Sequence, residues 1–301
     1  MKKILITGGT GFIGYHLSKK CLKMKWNVTS FSTKTPKNIR KLKNVNYVIC
    51  DLTKRKELEK KLKKKKFDFI VNLSGHVDHN NKINTLNSHF KSVQNLIDSL
   101  RNNFPKKFIQ MGSSAEYGGR SKPQKESAKC KAKSIYGNAK LKTTNYLINQ
   151  YKKYSFPLTV LRLYQAYGPY QDINRLIPIV IDACKKNQPF NCSDGNQFRD
   201  FIYIDDIIDA IIKCLISKNS SGKIYNLGSG KVQKIKSIIS RISRYYKGGT
   251  PLFGKIKLRN DESKLIVANI HKIKKEINWK PKTKFNTGLK ETLKYYGKKK
   301  L

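Results

Sequence analysis

Near the start of the chain an apolar run rich in branched residues, Ile4-Leu5-Ile6-Thr7, reads as a buried strand. Three glycines, Gly8, Gly11 and Gly14, then turn it sharply into an amphipathic helix beginning near Phe12. The same alternation repeats. Strands are predicted at 26–32, at the segment ending Val48-Ile49-Cys50-Asp51-Leu52, and at 67–73, 108–112 and 158–163, with helices over 55–62, 85–101 and 134–151 between them. Strand–helix alternation through about residue 165 predicts an α/β fold, a doubly wound parallel sheet with helices on both faces. Beyond it come a late strand and turn at 225–230 and helices over 232–246, 270–279 and 287–296, with no internal repeat or low-complexity linker.

The glycine spacing carries the first chemistry. Gly8 permits the tight turn, Gly11 lets backbone amides approach a pyrophosphate, and Gly14 lets helix and strand pack closely. The helix N-terminus adds unpaired N–H groups and a partial positive charge, so the stretch reads as a Rossmann-type dinucleotide-binding turn. The second chemistry is Tyr136-Gly137-Asn138-Ala139-Lys140, where residues four apart share a helix face. A tyrosine titrates at about pH 10, and a neighbouring ammonium stabilises the phenolate and lowers that value toward neutrality.

Charge changes the picture at one point. The 301 residues hold 64 Lys+Arg against 19 Asp+Glu, a formal net charge of +45. The lysines are spread over almost every predicted surface helix, with short clusters at 63–66 and 298–300, which reads as a basic surface bias ahead of a nucleic-acid function. Its field favours anionic substrates. Cys21, Cys50, Cys130, Cys184, Cys192 and Cys214 are scattered with no CxxC pair, as expected of reduced thiols in a cytoplasmic protein. No apolar stretch approaches the ~18 residues of a membrane span. His76, Asp78 and His79 suggest a metal, but without a further ligand at fixed spacing a polar loop is the stronger reading.

TGGTGFIG, with its G-x-x-G-x-x-G spacing, the Ser113-Ser114-Ala115-Glu116-Tyr117-Gly118 segment and the Tyr136/Lys140 pair together resemble the extended branch of the short-chain dehydrogenase/reductase superfamily. Within that branch of nucleotide-sugar epimerases, dehydratases and reductases, the chain is most similar to 4-keto-sugar nucleotide reductases of the CDP-abequose synthase type. The resemblance implies Ser113, Tyr136 and Lys140 as the catalytic set, with Ser114 a near competitor of Ser113. It implies cofactor contacts from Gly8, Gly11, Phe12, Ile13 and Gly14, from the pyrophosphate turn Leu73-Ser74-Gly75, from Tyr136 and Lys140, and from Asp51 and Leu52 near the adenine. Asp51 also suits the N-cap of the helix that follows. Where the family carries a ribose-binding acid, this chain has Ser32, Thr33 and Lys34. Losing that carboxylate removes repulsion against a 2′-phosphate, so NADP is preferred over NAD.

On the substrate side, Gln165 stands in place of an asparagine in the family's R-x-x-N-x-YGP, and His89 replaces another asparagine. Asn174, Arg175 and Leu176 match a segment lying along the sugar nucleotide, while Arg199 and Arg259 match arginines that grip its diphosphate. Ser114 belongs to the same contact set, and Asp205 and Asp206 are expected to cap the next helix. The resemblance further implies a cofactor domain at 1–165, to which segments around 200–230 return, and a smaller C-terminal α/β lobe over 166–301 that closes on a nucleotide-diphosphate sugar. It also implies a homodimer through the helices at 85–101 and 134–153.

Dehydratases of the branch place an Asp-Glu or Ser-Glu pair just after the active-site Thr, whereas this chain has Ser114 and Ala115 there, and Glu116 one place later is expected to aim elsewhere. Hydride chemistry at a sugar carbon remains. Reduction of a nucleotide-linked 4-keto sugar is the leading expectation, 4-epimerisation with the same residues the alternative, and a non-catalytic NADP- or RNA-binding scaffold a third.

Overall fold

Strand β1 (Lys3–Thr7) runs through the centre of the molecule because successive side chains bury on opposite faces, Leu5 in one layer and Ile4 and Ile6 in the other. The computed structural model describes residues 1–75, 81–101, 103–119, 122–258 and 262–298. After β1 come α1 (Phe12–Lys23), β2 (Asn27–Ser32), β3 (Val45–Ile49), α2 (Arg55–Leu62) and β4 (Phe69–Asn72). A helical run follows, made of α3 (Lys82–Leu86), a π turn (Asn87–Lys91) and α4 (Ser92–Ser99). Next are β5 (Lys107–Ser113), α5 (Ile135–Tyr154), β6 (Leu158–Leu163), β7 (Gln165–Tyr167), α6 (Leu176–Lys185), β8 (Pro189–Asn191), β9 (Phe198–Tyr203) and α7 (Ile204–Ile216). The chain ends with β10 (Lys223–Leu227), β11 (Val232–Lys234), α8 (Ile235–Tyr246), β12 (Thr250–Leu252), β13 (Leu265–Ile266), α9 (His271–Ile277) and α10 (Phe285–Gly297).

Seven parallel strands form the main sheet in the order β10-β6-β5-β4-β1-β2-β3. The chain direction across the sheet reverses between β1 and β4, and the crevice beyond that switch point is where open α/β sheets bind ligands. A second sheet, β11-β9-β13 with β7 beside β9, and the short β8–β12 pair build the other lobe. One face of the main sheet shares a continuous core with this lobe, from Ile4 and Leu17 through Ile177, Ile238 and the fully buried Trp279. The two halves therefore pack as one body.

Four expectations are corrected. The predicted helix at 232–246 loses its first three residues to β11, which pairs antiparallel with β9. The helix predicted from Thr85 begins at Lys82 and contains the π turn. Asp51 does not cap α2, whose N-cap residue is Lys54, because its carboxylate accepts from the Thr53 amide at 2.9 Å and hydroxyl at 2.8 Å. Nor do Asp205 and Asp206 cap α7. They stand in its first turn behind Tyr203, and the Asp206 carboxylate accepts instead from the amides of Lys282 at 2.8 Å and Thr283 at 3.0 Å.

At the exit of β5 the chain makes a single 3-10 turn, Ser114–Tyr117, closed by a capping box between Ser113 and Glu116. The Glu116 carboxylate, wholly buried, accepts from the Ser113 amide at 2.9 Å, from Arg162 Nε of β6 at 2.8 Å and from Thr144 Oγ1 of α5 at 3.0 Å. Breaking a buried pair strands a charge and costs about 3–5 kcal/mol. Arg162→Met is expected to lower unfolding stability by that order in chemical denaturation. A loss no larger than that of an exposed pair such as Arg55–Glu59 would show that the pair does not bear on folding.

Candidate functional site

Three turns meet at the C-terminal ends of β1, β4 and β5. Gly8 sits at φ +69°, and a Cβ there would come within 2.9 Å of the Leu73 carbonyl, so the first and second turns can touch only through glycine. At Gly14 a Cβ would lie 2.5 Å from Gly9 Cα, which is why helix and strand can close together here. α1 starts with Gly11 at its N-cap and no side chain bonded to its first amides.

Beneath these turns runs a buried polar line that sequence reading missed. The Thr7 hydroxyl donates to Asn72 Oδ1, Asn72 Nδ2 donates to Gln110 Oε1 at 2.8 Å, and Gln110 Nε2 donates to the Met111 carbonyl at 3.1 Å. Ser74 bonds the same Asn72 oxygen through its amide at 3.2 Å. Each polar atom in this line has a partner, which is the condition for amides to sit inside a sheet. The available signal was a lone amide in each apolar run, FIVN and FIQM.

The turns open onto a groove of about 620 Å³. Gly8, Gly11, Phe12, Ile13 and Gly14 line it, with Leu73, Ser74 and Gly75 above and Ser32, Thr33, Asp51 and Leu52 at one end. Ser113, Ser114, Tyr136 and Lys140 lie toward the other, with Gln165 and Arg175. Lys34 is exposed and off the groove, and Asn174 and Leu176 are not among its walls. Arg199 is also outside it, its guanidinium bonded to Glu262 and to the Phe198 carbonyl at 2.9 Å. Arg259 lies outside the described residues, as do His76, Asp78 and His79. Among the described residues no cluster of three metal-ligating side chains occurs. Wall residues not anticipated include Thr10, Cys50, Tyr164, Gln171 and Asp172.

Toward that second end Ser113 and Tyr136 line the groove together, and the serine side chain acts to lower the phenol's pKa. Lys140 lies under the Tyr136 ring, Nζ 5.8 Å from its centroid, and donates to the Met111 carbonyl at 2.9 Å. His89 packs edge-on against the ring at 5.1 Å and 74°. Burial pushes the Tyr136 phenol above its usual range and outweighs the Ser113 hydrogen bond and the Arg175 charge, which pull it down. The expected lowering by Lys140 is therefore not met, since burial is the largest influence on the phenol. Burial lowers Lys140 itself to about 8, against a smaller raising effect of Glu116.

The residues fit a dinucleotide. A cradle that a Cβ at Gly8 or Gly14 would fill, uncapped first-turn amides at α1 and hydroxyls at the β2 end supply what a pyrophosphate and a ribose need.

Residues 4–228 match the model of the NAD dependent epimerase/dehydratase family. A CDP-abequose synthase of Salmonella typhimurium is 33% identical over 140 residues, 44% of this chain and 46% of its own length. A human dTDP-D-glucose 4,6-dehydratase is 24% identical over 322 residues, covering 98% of this chain and 90% of its own. Among solved structures, a UDP-glucuronic acid 4-epimerase from Bacillus cereus, in complex with UDP-glucuronic acid and NAD, superposes with a TM-score of 0.89 at 26% identity over 98% of this chain and 99% of its own. The chain belongs to the NAD dependent epimerase/dehydratase family, whose members are NAD-dependent enzymes of nucleotide sugars.

Proposed function

We propose that this protein is an NAD(P)H-dependent reductase of a nucleotide-linked 4-keto-6-deoxy sugar. The observation that carries the reading is the Ser113–Tyr136 hydroxyl pair over Lys140, in a groove where Ser114 and Ala115 follow Ser113 and Glu116 is committed to Arg162 and Thr144. The branch's dehydratases carry Asp-Glu or Ser-Glu at those two positions, and this chain lacks the glutamate where Ala115 stands. When bound, the dihydronicotinamide supplies hydride to the sugar carbon. Ser113 holds the sugar oxygen. Tyr136, kept protonated by burial, gives that oxygen its proton, and Lys140 holds a ribose hydroxyl and steadies the phenolate left behind.

The hydroxyls of Ser32 and Thr33 at the adenosine end, with Asp51 engaged by Thr53, favour NADP over NAD. Ser32→Asp is expected to weaken NADPH binding by about tenfold relative to NADH, the order of one like-charge contact near a surface. Fluorescence titration of both cofactors checks it, and an unchanged ratio removes the NADP preference. The dimer belongs to the same proposal, through α3, α4 and α5, whose surfaces expose Ile83 and Ile135.

A 4-epimerase is the second reading, favoured by the likeness to the NAD-bound B. cereus epimerase. Mixing the enzyme with NADPH and CDP-, dTDP- or GDP-4-keto-6-deoxyhexoses is expected to consume NADPH in proportion to product. Tyr136→Phe should cut that rate by about 10²–10⁴-fold with NADPH still bound. Interconversion of UDP-sugars with no NADPH consumed across the panel would replace the reductase with the epimerase.

Lys140 gives a stability test. Its native value of about 8 lies below the roughly 10.4 of an unfolded lysine, so between the two the unfolded chain binds more protons and stability rises with pH. Below about pH 8 the native state carries the full cost of a buried ammonium. Lys140→Met is expected to raise Tm at neutral pH while abolishing turnover, with the gain fading as pH approaches ~10.4. Melts of both proteins at the two extremes decide it, and a variant less stable at neutral pH would contradict it.

A further inference from the structure

Between β7 and α6 the chain runs as a strap over residues 169–172, and three consecutive carbonyls of that strap are each taken by a side chain from a different element. His16 Nε2 of α1 donates to the Pro169 carbonyl at 3.0 Å. Arg40, from the connection between β2 and β3, donates to the Tyr170 carbonyl through Nε at 2.9 Å and again through Nη2. The Tyr296 hydroxyl of α10 donates to the Gln171 carbonyl at 2.6 Å. Arg40 Nη2 also reaches Asp172 Oδ1 at 2.9 Å.

The strap's backbone needs this support. Tyr170 stands at φ +68°, a conformation that a bulky L-residue keeps only when its surroundings over-determine it. Its ring lies between Tyr15 at 4.6 Å and Tyr295 at 4.5 Å. The guanidinium that holds it is 4% exposed, although Arg40 comes from a loop whose neighbouring side chains, from Lys37 to Ile39, are exposed. An arginine so placed is available to the strap and not to a 2′-phosphate.

What the strap carries is functional surface. Gln171 and Asp172 line the groove, and the Asp172 carbonyl accepts from the amide of Arg175, which lines it too. We propose that Arg40 is a positioning residue for the nucleotide-sugar half of the groove: from the cofactor side it fixes the strap, and through the strap it fixes Gln171, Asp172 and Arg175. This rests on the reading that the half of the groove beside Tyr136 takes a nucleotide diphosphate sugar. The strap is then the point where the two halves are set in register, because its anchors come from α1, from the loop leaving the adenosine wall, and from the last helix of the lobe.

The test uses the full-length wild type with Arg40→Met, Arg40→Lys and Asp172→Asn. Binding of UDP, CDP, dTDP and GDP is measured by calorimetry, NADPH binding by fluorescence, and Tm for each protein. In Arg40→Met the affinity for whichever nucleoside diphosphate the wild type binds is expected to fall about tenfold, with that for NADPH within about twofold, the loss expected for one charge-assisted pair. Arg40→Lys keeps the charge but not the fork on Tyr170, and should recover part of the loss. Asp172→Asn, which leaves the Tyr170 carbonyl bonded, should lose less than Arg40→Met. Equal weakening of both ligands alongside a fall in Tm, or unchanged nucleoside diphosphate binding in Arg40→Met, overturns the proposal. A wild type that binds NADPH and none of the four nucleoside diphosphates overturns the reading of the groove itself, and the proposal with it.

Discussion

The carboxylate of Glu116 is the constraint on which the site depends. It is buried among three elements, and each of its bonds holds one of them: the Ser113 amide at the end of β5, Arg162 on β6 and Thr144 on α5. Ser113 comes from the first, and Tyr136 and Lys140 stand on the third. Their mutual placement is thus set by one fully buried carboxylate, which makes the geometry stiff and the group unavailable to the groove. Glu116 is thus a joint between β5, β6 and α5 and not one of the groove's walls.

A second joint lies under the cofactor turns. Thr7, Asn72 and Gln110 tie the ends of β1, β4 and β5 side to side, and the line ends on the Met111 carbonyl that also accepts Lys140. Parallel strands buried on both faces are usually apolar throughout. Here β1 and β4 each end on a polar residue, Thr7 and Asn72, and β5 carries Gln110 at its middle, level with Asn72, where the turns must hold one spacing. The strand end before the glycine turn and Lys140 thereby share a single chain of hydrogen bonds through the sheet.

Much of this was legible in the sequence and some could not be. Period-two burial around Leu5, the glycine triplet and the Tyr136/Lys140 spacing are local signals, and the strands and groove walls they predicted are where local geometry puts them. Features set by distant partners were misread. Val232 to Lys234 became a strand because β9 offers a free edge, and Asp206 left its cap role for two amides 76 and 77 residues further on. Arg199 faces Glu262, and nothing near Arg199 in sequence announces that partner. The pKa of Tyr136 belongs to the same class, since helical spacing brings Lys140 under the ring but burial, a property of the whole fold, decides the sign.

The direction of those two shifts also bears on how the site is charged. Burial disfavours charge on both partners, raising the phenol and lowering the ammonium, so the resting pair is held closer to neutral than either group would be in water. A chain of formal charge +45 has no shortage of positive field at its surface, yet at the point of reaction it keeps one marginal ammonium and one protonated phenol. The phenol is held protonated by burial, and a phenolate formed from it would stand beside Lys140 and within the field of Arg175. Burial opposes charge on the phenol whichever way a proton moves, so a phenolate at this position depends on Lys140 and on the field of Arg175.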